Sequence, residues 1–349
     1  MTYGKYTTGG GSSLPYKKRK IFTNRIVDDV INQTSTIVWQ DLCRMNLNKK
    51  ITKMSVLNVG SGTEAIAFKK LGAKEVSLYD LSHNNIIKTK NYSKKNNLEV
   101  QCEQIDLLGK EFQKKKKKFD LIYLNGVIHH TKNPETLLKI LKKKINKNGS
   151  IWLYVYQSGS IYNIIRYCQN EIAKKFNLKD KVFYKFINNK INQVNIEKDM
   201  DDIFCKYLNI FTANYYYNLI KKYNYKITFK KDFYTNYSSS IRLHTESFLL
   251  SIKLQNKSIN KFKNIKIKKD YFLDAKNWQK EDKECILSFS EQFHKFINSK
   301  TKITQDTCLK LILHLSKLKY NYNYLLSYDE KKSLIIDAKN VIKKFNDKI

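Results

Sequence analysis

Residues 56–64 read VLNVGSGTE, an apolar run that leads into two glycines, Gly60 and Gly62, separated by a single residue. The apolar run predicts a buried strand, and the residues after the glycines are typical of a helix. Glycines at such a turn let backbone N–H groups approach a ligand closely where the helix begins. GSGTEA (60–65) also fits the GxGxxG/A pattern of nucleotide-binding loops. The stretch therefore predicts a strand, a cofactor-binding turn and a helix.

Strand-like and helix-like segments alternate around this turn. Predicted strands are residues 55–59, 75–80, 98–106, 119–125, 150–156, 226–233 and 245–254. Predicted helices are residues 64–72, 82–96, 133–145 and 211–224, with one or two more in 24–46. Ser82 is expected to cap one helix, and Asn148–Gly149 to end another. The alternation predicts an α/β fold, a parallel sheet with helices on both faces that binds ligands at the carboxyl ends of its strands.

The 349-residue chain is strongly basic, with 66 lysines and arginines against 31 acids and a formal net charge of +35. Its only arginines are Arg19, Arg25, Arg44, Arg166 and Arg242. Arginine is better suited than lysine to bidentate phosphate contacts and to stacking on bases. The abundance of lysine, asparagine, isoleucine and tyrosine is more typical of an AT-rich genome than of a nucleic-acid surface. A nucleic-acid partner is therefore left open but not favoured.

The six cysteines are widely scattered and form no CxxC pair, so we predict neither a metal site nor a disulfide framework. No apolar run approaches the ~20 residues that a membrane span needs. Residues 1–20 lack the apolar middle of a secretory signal. We therefore predict a soluble, cytoplasmic protein without a membrane span. The oligomeric state does not follow from the sequence.

Glycine and acidic residues lie at the carboxyl ends of the first three predicted strands: Gly60, then Asp80, then Asp106. A carboxylate at Asp80 can accept hydrogen bonds from both hydroxyls of a ribose, and one at Asp106 can accept from an adenine amino group. Each carboxylate alone has a simpler alternative, which is to cap the turn that follows it. The ordered set describes an adenosine pocket. On the glycine turn alone, a nicotinamide dinucleotide is a competing cofactor.

The segment from 119 to 156 decides between these cofactors. It reads FDLIYLNGVIHHTKNPETLLKILKKKINKNGSIWLYVY. It strongly resembles the class I S-adenosylmethionine-dependent methyltransferases, and is most similar to the branch that includes the ubiquinone and menaquinone-type enzymes. VLNVGSGTE is similar to the family's first motif, YDLS (79–82) to its second-strand acid and QIDLL (104–108) to its third-strand acid. The resemblance covers residues 51–156, and more loosely reaches 254. It implies a Rossmann-like, seven-stranded, mostly parallel sheet whose seventh strand lies antiparallel between the fifth and sixth.

The resemblance implies S-adenosylmethionine as cofactor. Gly60 and Gly62 would pass its methionine part, Asp80 would hold the ribose, Asp106 would frame the adenine, and Asn125 would line the sulfonium side. The implied cofactor-binding residues are Asn58, Gly60, Ser61, Gly62, Glu64, Asp80, Leu81, Ile105, Asp106, Leu107 and Asn125.

The chain departs from the family pattern at Asn58, usually Asp or Glu, and at Glu64, often Gly. An amide at position 58 supplies no charge. Glu64 would lie in the first turn of a helix, where a carboxylate is favourable, and could reach the cofactor's ammonium.

Methyl transfer to an O–H or N–H group needs an in-line approach and a base. His129 and His130 follow the fourth strand, beside the methyl group in this architecture, and Tyr156 follows the fifth. These three are the catalytic candidates. An alternative is that one histidine only packs and the other caps the helix that begins near Pro134.

Arg166, Arg242 and His244 are the candidates for binding a substrate, and an arginine suits a carboxylate or phosphate. With prolines only at positions 15 and 134, the chain has neither the Asn/Asp-Pro-Pro-aromatic motif nor the Pro-Cys pair of base-methylating enzymes. This favours a small-molecule substrate and leaves RNA open.

We predict three segments: a flexible segment and helical cover (1–50), a methyltransferase domain (51–255) with a helical insertion at about 158–210, and a basic extension (256–349) with helices over 279–298, 304–320 and 329–346. The predicted function is S-adenosylmethionine-dependent O-, N- or S-methylation of a small anionic metabolite. The alternatives are an enzyme that methylates tRNA or other RNA, a nicotinamide-dependent oxidoreductase, and an inactive cofactor-binding module.

Overall fold

A computed structural model of the chain describes residues 28–158, 161–187, 200, 202–234, 245–255, 280–299, 303–321 and 328–347. These residues belong to two compact units. The first lies within Met1–Val155, Tyr216–Lys231 and Phe248–Ile267, and the second within Tyr156–Tyr215, Asp232–Ser247 and Lys268–Ile349. Of the helices in the described ranges, none has the length and apolar character needed to cross a bilayer.

One sheet of seven strands forms the centre of the fold. In chain order the strands are β1 (Ser55–Val59), β2 (Glu75–Asp80), β3 (Val100–Gln104), β4 (Phe119–Asn125), β5 (Ile145–Tyr156), β6 (Tyr225–Tyr234) and β7 (Thr245–Leu254). Their order across the sheet is β3-β2-β1-β4-β5-β7-β6. The predicted seven-stranded α/β sheet is confirmed, including the position of β7 between β5 and β6.

The central strand β1 is parallel to both of its neighbours. Val56 aligns with Val76 of β2 on one side and with Leu121 of β4 on the other. Val56 and Leu57 point to opposite faces and both are fully buried. A fully buried aliphatic side chain contributes about 1.5–3 kcal/mol, which makes β1 a firmly held element. Because the three strands run in one direction, their carboxyl ends lie along one edge of the sheet.

The last two strands run antiparallel to each other. Thr228 Oγ1 of β6 donates to the carbonyl oxygen of Ser251 in β7 at 3.1 Å, and Gln255 Nε2 donates to the carbonyl oxygen of Tyr225 at 3.2 Å. The start of β6 therefore lies beside the end of β7. The sheet is mixed, unlike the purely parallel sheet of dinucleotide-binding domains.

Eleven α-helices longer than one turn lie in the described ranges, besides a 3₁₀ helix at Asn48–Lys53. They are α1 (Asp28–Arg44), α2 (Gly62–Lys70), α3 (His83–Lys95), α4 (Lys110–Lys114), α5 (Pro134–Lys144), α6 (Ile161–Lys175), α7 (Asp180–Ile187), α8 (Ala213–Lys222), α9 (Lys280–Asn298), α10 (Gln305–Asn321) and α11 (Tyr328–Asn346). Ser82 caps α3 as predicted, because its side chain accepts from the backbone N–H of Asn85. Gly72, with φ of +90°, follows the end of α2.

The second unit is helical in its described parts. Gln169 Nε2 on α6 donates to Ser316 Oγ on α10 at 2.7 Å, and Lys175 Nζ donates to the carbonyl oxygen of Phe296 on α9 at 2.8 Å. Phe293 of α9 is also buried. Helix α6, from the predicted insertion, thus packs with helices of the predicted C-terminal extension. The segment boundaries proposed from the sequence stay predictions.

The prediction that Asn148–Gly149 ends a helix is wrong. Helix α5 stops at Lys144, and β5 begins at Ile145, so the Asn-Gly pair lies inside the strand. A β-carbon on Gly149 would come within 2.8 Å of Ile145 Cδ1 and 2.9 Å of the carbonyl oxygen of Asp120 on β4. The glycine is needed because two backbones approach closely at the irregular start of β5.

Replacing Gly149 by alanine is expected to lower the free energy of unfolding by about 1–3 kcal/mol, because the added methyl group overpacks this contact. Urea denaturation of the full chain measures the change. The matched control is Lys147→Ala, at an exposed position of the same strand, which should stay within about 0.5 kcal/mol of the parent. Equal stability of the two variants would contradict the close approach.

Candidate functional site

Gly60 follows β1 with a left-handed backbone, φ of +95°. Its N–H donates to the carbonyl oxygen of Tyr79 in β2 at 3.1 Å. A β-carbon on Gly60 would lie 3.3 Å from Val127 Cγ2, in the loop after β4. Glycine adopts this conformation without the steric cost that other residues meet. The turn is therefore held against the ends of both neighbouring strands.

The side-chain amide of Asn58 stabilises this turn through a hydrogen bond. The side chain of Asn58 is fully buried in β1, and its Nδ2 donates to the carbonyl oxygen of Ser61 at 2.6 Å. A carboxylate at this position would have no hydrogen to donate. The other amide atom, Asn58 Oδ1, is buried and has no hydrogen-bond partner in the part of the chain that the structure describes.

Helix packing explains why the second glycine of the turn, Gly62, has no side chain. A β-carbon on Gly62 would collide with Thr89 Oγ1 and lie 3.0 Å from Asn85 Oδ1, both on α3. Gly62 therefore allows α2 and α3 to approach each other. The sequence pattern indicated only access for a ligand, and that role of Gly62 stays a prediction.

Asp80 ends β2 and is 5% exposed. Its Oδ1 accepts from the backbone N–H of Ser82 at 3.0 Å, and its Oδ2 accepts from Asn85 Nδ2. Burial raises the pKa of Asp80 to about 7, against the lowering effect of the hydrogen bonds from Asn85 and Ser82. A buried carboxyl that titrates near neutrality at a strand end is typical of a functional site.

Asn85 is a site residue that the sequence analysis missed. Its Nδ2 donates both to Asp80 Oδ2 and to the carbonyl oxygen of Gly60. It therefore joins the turn after β1 to the acid at the end of β2. The only sequence signal was its place in the first turn after the Ser82 cap, which Asn84 shares.

The third strand end differs from the prediction. Strand β3 stops at Gln104, so Asp106 lies in the turn that follows it. Asp106 is exposed, and its Oδ1 accepts from the backbone N–H of Leu108 at 2.8 Å. Its carboxylate thus caps a turn, the alternative that the sequence left open. Ile105 and Leu107 are buried, and Ile105 N donates to the carbonyl oxygen of Asp80 at 3.0 Å.

Glu64, in the first turn of α2, reaches the end of β4. Its Oε1 accepts from Asn125 Nδ2 at 2.6 Å, and its Oε2 is buried without a partner within the described ranges. Burial raises the pKa of Glu64 to about 8, the Asn125 hydrogen bond opposes this, and the nearby charge of Asp41 adds to it. The carboxyl is therefore largely protonated at neutral pH.

A second buried acid ties α1 to the sheet. Asp41 accepts from the hydroxyl of Tyr123 in β4 at 2.7 Å and from the guanidinium of Arg44 at 2.6 Å. Burial raises the pKa of Asp41, against the hydrogen bonds from these two partners. Sequence reasoning did not identify this group, because its members lie 82 residues apart.

The two histidines differ in exposure. Both lie in a short 3₁₀ turn, Ile128–His130, with ring centroids 4.3 Å apart. His129 is fully buried, whereas His130 is partly exposed. Neither is the N-cap of α5: that residue is Asn133, whose Oδ1 accepts from the backbone N–H of Thr136 at 3.0 Å.

Of the remaining candidates, Tyr156 and Arg166 belong to the second unit. Arg166 Nε lies 2.7 Å from Asp202 Oδ2, and the guanidinium stacks 4.8 Å from the ring centroid of Tyr156. The charge of Arg166 is therefore matched by a buried carboxylate within the second unit. Arg242 and His244 lie outside the described residues. In the first unit, the structure brings together Gly60, Glu64, Asp80 and Asn125 at one edge of the sheet.

A family model described as a methyltransferase domain matches residues 37–228, more than half of the chain. No curated protein matches the chain.

Solved structures resemble the chain at low identity. The PH0226 protein of Pyrococcus horikoshii OT3 is 16% identical, with a TM-score of 0.41 over 73% of this chain and 97% of that one. The magnesium protoporphyrin IX methyltransferase of Synechocystis PCC 6803, with bound SAH, is 11% identical, with a TM-score of 0.40 over 65% and 86%. PKMT2 of Rickettsia typhi, in complex with AdoHcy, is 16% identical, with a TM-score of 0.41 over 62% and 51%, so this chain spans about half of it. Likeness at this level says nothing about what this chain acts on.

Asn58→Asp is expected to lower the free energy of unfolding by about 1–3 kcal/mol, because two oxygen acceptors then face each other at Ser61. Burial raises the folded-state pKa of an aspartic acid, so the protonated form can still donate at low pH. The stability loss should therefore grow between pH 5 and pH 8, as measured by urea denaturation. The control Asn84→Asp, exposed on α3, should stay within about 0.5 kcal/mol of the parent. A loss that does not depend on pH would argue against the amide brace.

Proposed function

We propose that this chain, which belongs to the class I S-adenosylmethionine-dependent methyltransferases, methylates a small metabolite. The family match and the mixed seven-stranded sheet are the evidence that the chain belongs to this family. The chain is thus an enzyme with S-adenosylmethionine as its cofactor, and the nicotinamide and inactive-module alternatives fall away. The narrower ubiquinone-like branch stays a prediction.

The single observation that supports our placement of the cofactor is the set of acceptors at the ends of β1 and β2 and in the first turn of α2. S-adenosylmethionine presents an ammonium and two ribose hydroxyls as donors, and its sulfonium supplies the methyl group. The first unit offers the Asp80 carboxyl and two buried oxygens, Asn58 Oδ1 and Glu64 Oε2, that have no partner among the residues that the structure describes. These residues fit the cofactor, because each buried acceptor gains from a donor that the ligand carries.

Asp80 is proposed to hold the ribose. An ionised carboxylate has about four lone-pair sites, and Ser82 and Asn85 use one on each oxygen. Asp80 can therefore accept from the ribose hydroxyls while its present bonds keep it in place. Ser61, Leu81, Ile105, Asp106 and Leu107 are proposed to complete the cofactor pocket, with Gly60, Gly62 and Asn125.

His130 is the better candidate for the base that takes a proton from the methyl acceptor. It is partly exposed, whereas the fully buried His129 packs against it. We propose that His129 positions the ring of His130. Tyr156 stays a proposed catalytic residue, and Arg166, Arg242 and His244 are proposed to bind the substrate.

A small molecule is favoured over RNA because the positive charge is not concentrated. Residues 256–349 hold 21 lysines against 11 acids, an excess in proportion to their share of the chain. Within the run Lys114–Lys118, Lys115 pairs with Glu103 at 2.7 Å and Lys117 with Glu75 at 3.1 Å. These features are typical of lysine spread over solvated surfaces, and we propose a cytoplasmic enzyme of metabolism.

Asp80→Asn is expected to weaken the binding of S-adenosylhomocysteine at least 10-fold, because the amide cannot accept both ribose hydroxyls while it keeps its present partners. Isothermal titration calorimetry on the full chain measures this. Glu111→Gln, the same chemical change at an exposed residue of α4, should bind like the parent. If the parent does not bind S-adenosylhomocysteine at all, the proposed function is wrong.

Radiolabelled S-adenosylmethionine, added with the protein to a cell extract, is expected to transfer label to the small-molecule filtrate. Label in the RNA fraction, lost after ribonuclease and falling steeply with salt, would instead favour the RNA-modifying alternative. Once the fraction that accepts the label is known, His130→Ala should lower the rate of methyl transfer to it about 100-fold or more, while cofactor binding is kept. An unchanged rate would remove His130 as the base.

A further inference from the structure

Two buried oxygens at the turn after β1 have no hydrogen-bond partner among the described residues. Asn58 Oδ1 lies at the carboxyl end of β1, and Glu64 Oε2 lies in the first turn of α2. Asn58 is fully buried and Glu64 is 7% exposed. Leaving a buried polar atom without a partner costs about 1–3 kcal/mol. A pair of such atoms in one short segment points to a ligand group that supplies donors.

The chemistry of the two oxygens limits which group of a ligand can bind them. Both can accept, and one of them belongs to a carboxyl group. Asn125 Nδ2 holds the other carboxyl oxygen of Glu64 at 2.6 Å, which leaves Oε2 for the ligand. A carboxylate and an amide oxygen together match an ammonium, which has three donors and a positive charge.

We propose that Glu64 accepts the ammonium of the bound cofactor and gives up its own proton to solvent as it does so. The inference rests on the proposed function and deepens it, because Glu64 then supplies the acid that the family pattern has at position 58. Asn58 is left to brace the turn through Ser61 and to offer its Oδ1 as a second acceptor.

The proton balance follows from the surroundings of Glu64. Burial raises the pKa of Glu64 to about 8 in the absence of ligand, so the neutral acid dominates at pH 7. Asp41 on α1 adds to this, although it is bonded to Arg44 and to Tyr123 of β4. An ammonium beside the carboxyl favours its ionised form. One proton then leaves Glu64 for the buffer, and affinity should rise with pH up to about 8.

Asp80 is a second buried acid in the same site, with its pKa raised to about 7, so the test must separate the two. S-adenosylhomocysteine and methylthioadenosine share the adenosine that Asp80 is proposed to bind, but only the first carries an ammonium. Proton release measured by calorimetry at pH 7, in phosphate and in Tris, should therefore be larger by nearly one proton for S-adenosylhomocysteine. This comparison needs only the parent protein.

Glu64→Gln keeps the size of the side chain and an oxygen for Asn125 to donate to. It is expected to weaken S-adenosylhomocysteine binding about 10- to 100-fold, to abolish the difference in proton release, and to leave methylthioadenosine binding unchanged. Glu111→Gln serves again as the exposed control.

Equal proton release for the two ligands in the parent would overturn the proposal while the proposed function stands. So would equal weakening of both ligands by Glu64→Gln, because a general distortion of the turn would do that. Failure of the parent to bind S-adenosylhomocysteine would instead overturn the proposed function itself.

Discussion

The parallel pairing of β1 with both β2 and β4 is the constraint on which the site depends. Three strands that run in one direction must end at the same edge of the sheet, so the turns after them meet. Gly60, with its φ of +95°, donates its N–H to Tyr79 of β2 and has room for no β-carbon beside Val127 after β4 except in close contact. Hydrogen bonds then join the three ends, from Asn85 to Gly60 and Asp80, and from Asn125 to Glu64.

Two residues, Asn58 and Glu64, determine where the turn after β1 carries an acidic group. The position that carries an acid in the family pattern holds an amide, which donates to Ser61 and stiffens the turn. The position that often holds glycine carries the acid, Glu64, which is buried and bonded to Asn125. Because burial favours the neutral form of a carboxyl group, this arrangement avoids an uncompensated buried charge in the absence of ligand.

Much of the fold could be predicted, because the strands are short apolar runs and the helices have recognisable ends. Strands β1, β2 and β4 begin and end where predicted, and Ser82 caps α3. The error at Asn148–Gly149 arose because a glycine is typical both of a helix end and of a close approach of two backbones in a sheet. Local propensity cannot separate the two, since the deciding neighbour is the carbonyl oxygen of Asp120 on another strand.

By itself, the sequence determined the chain order of the seven strands, the family, the cofactor and the positions of Gly60 and Asp80, because these follow from periodicity and from motifs contiguous in the chain. Only the tertiary structure decided which side chains meet. Asn85 bridges two turns, and Glu64 contacts Asn125 across 61 residues. It also separated the fully buried His129 from the partly exposed His130. Such contacts depend on the register of the sheet and the packing of helices on it, which no local stretch of residues encodes alone.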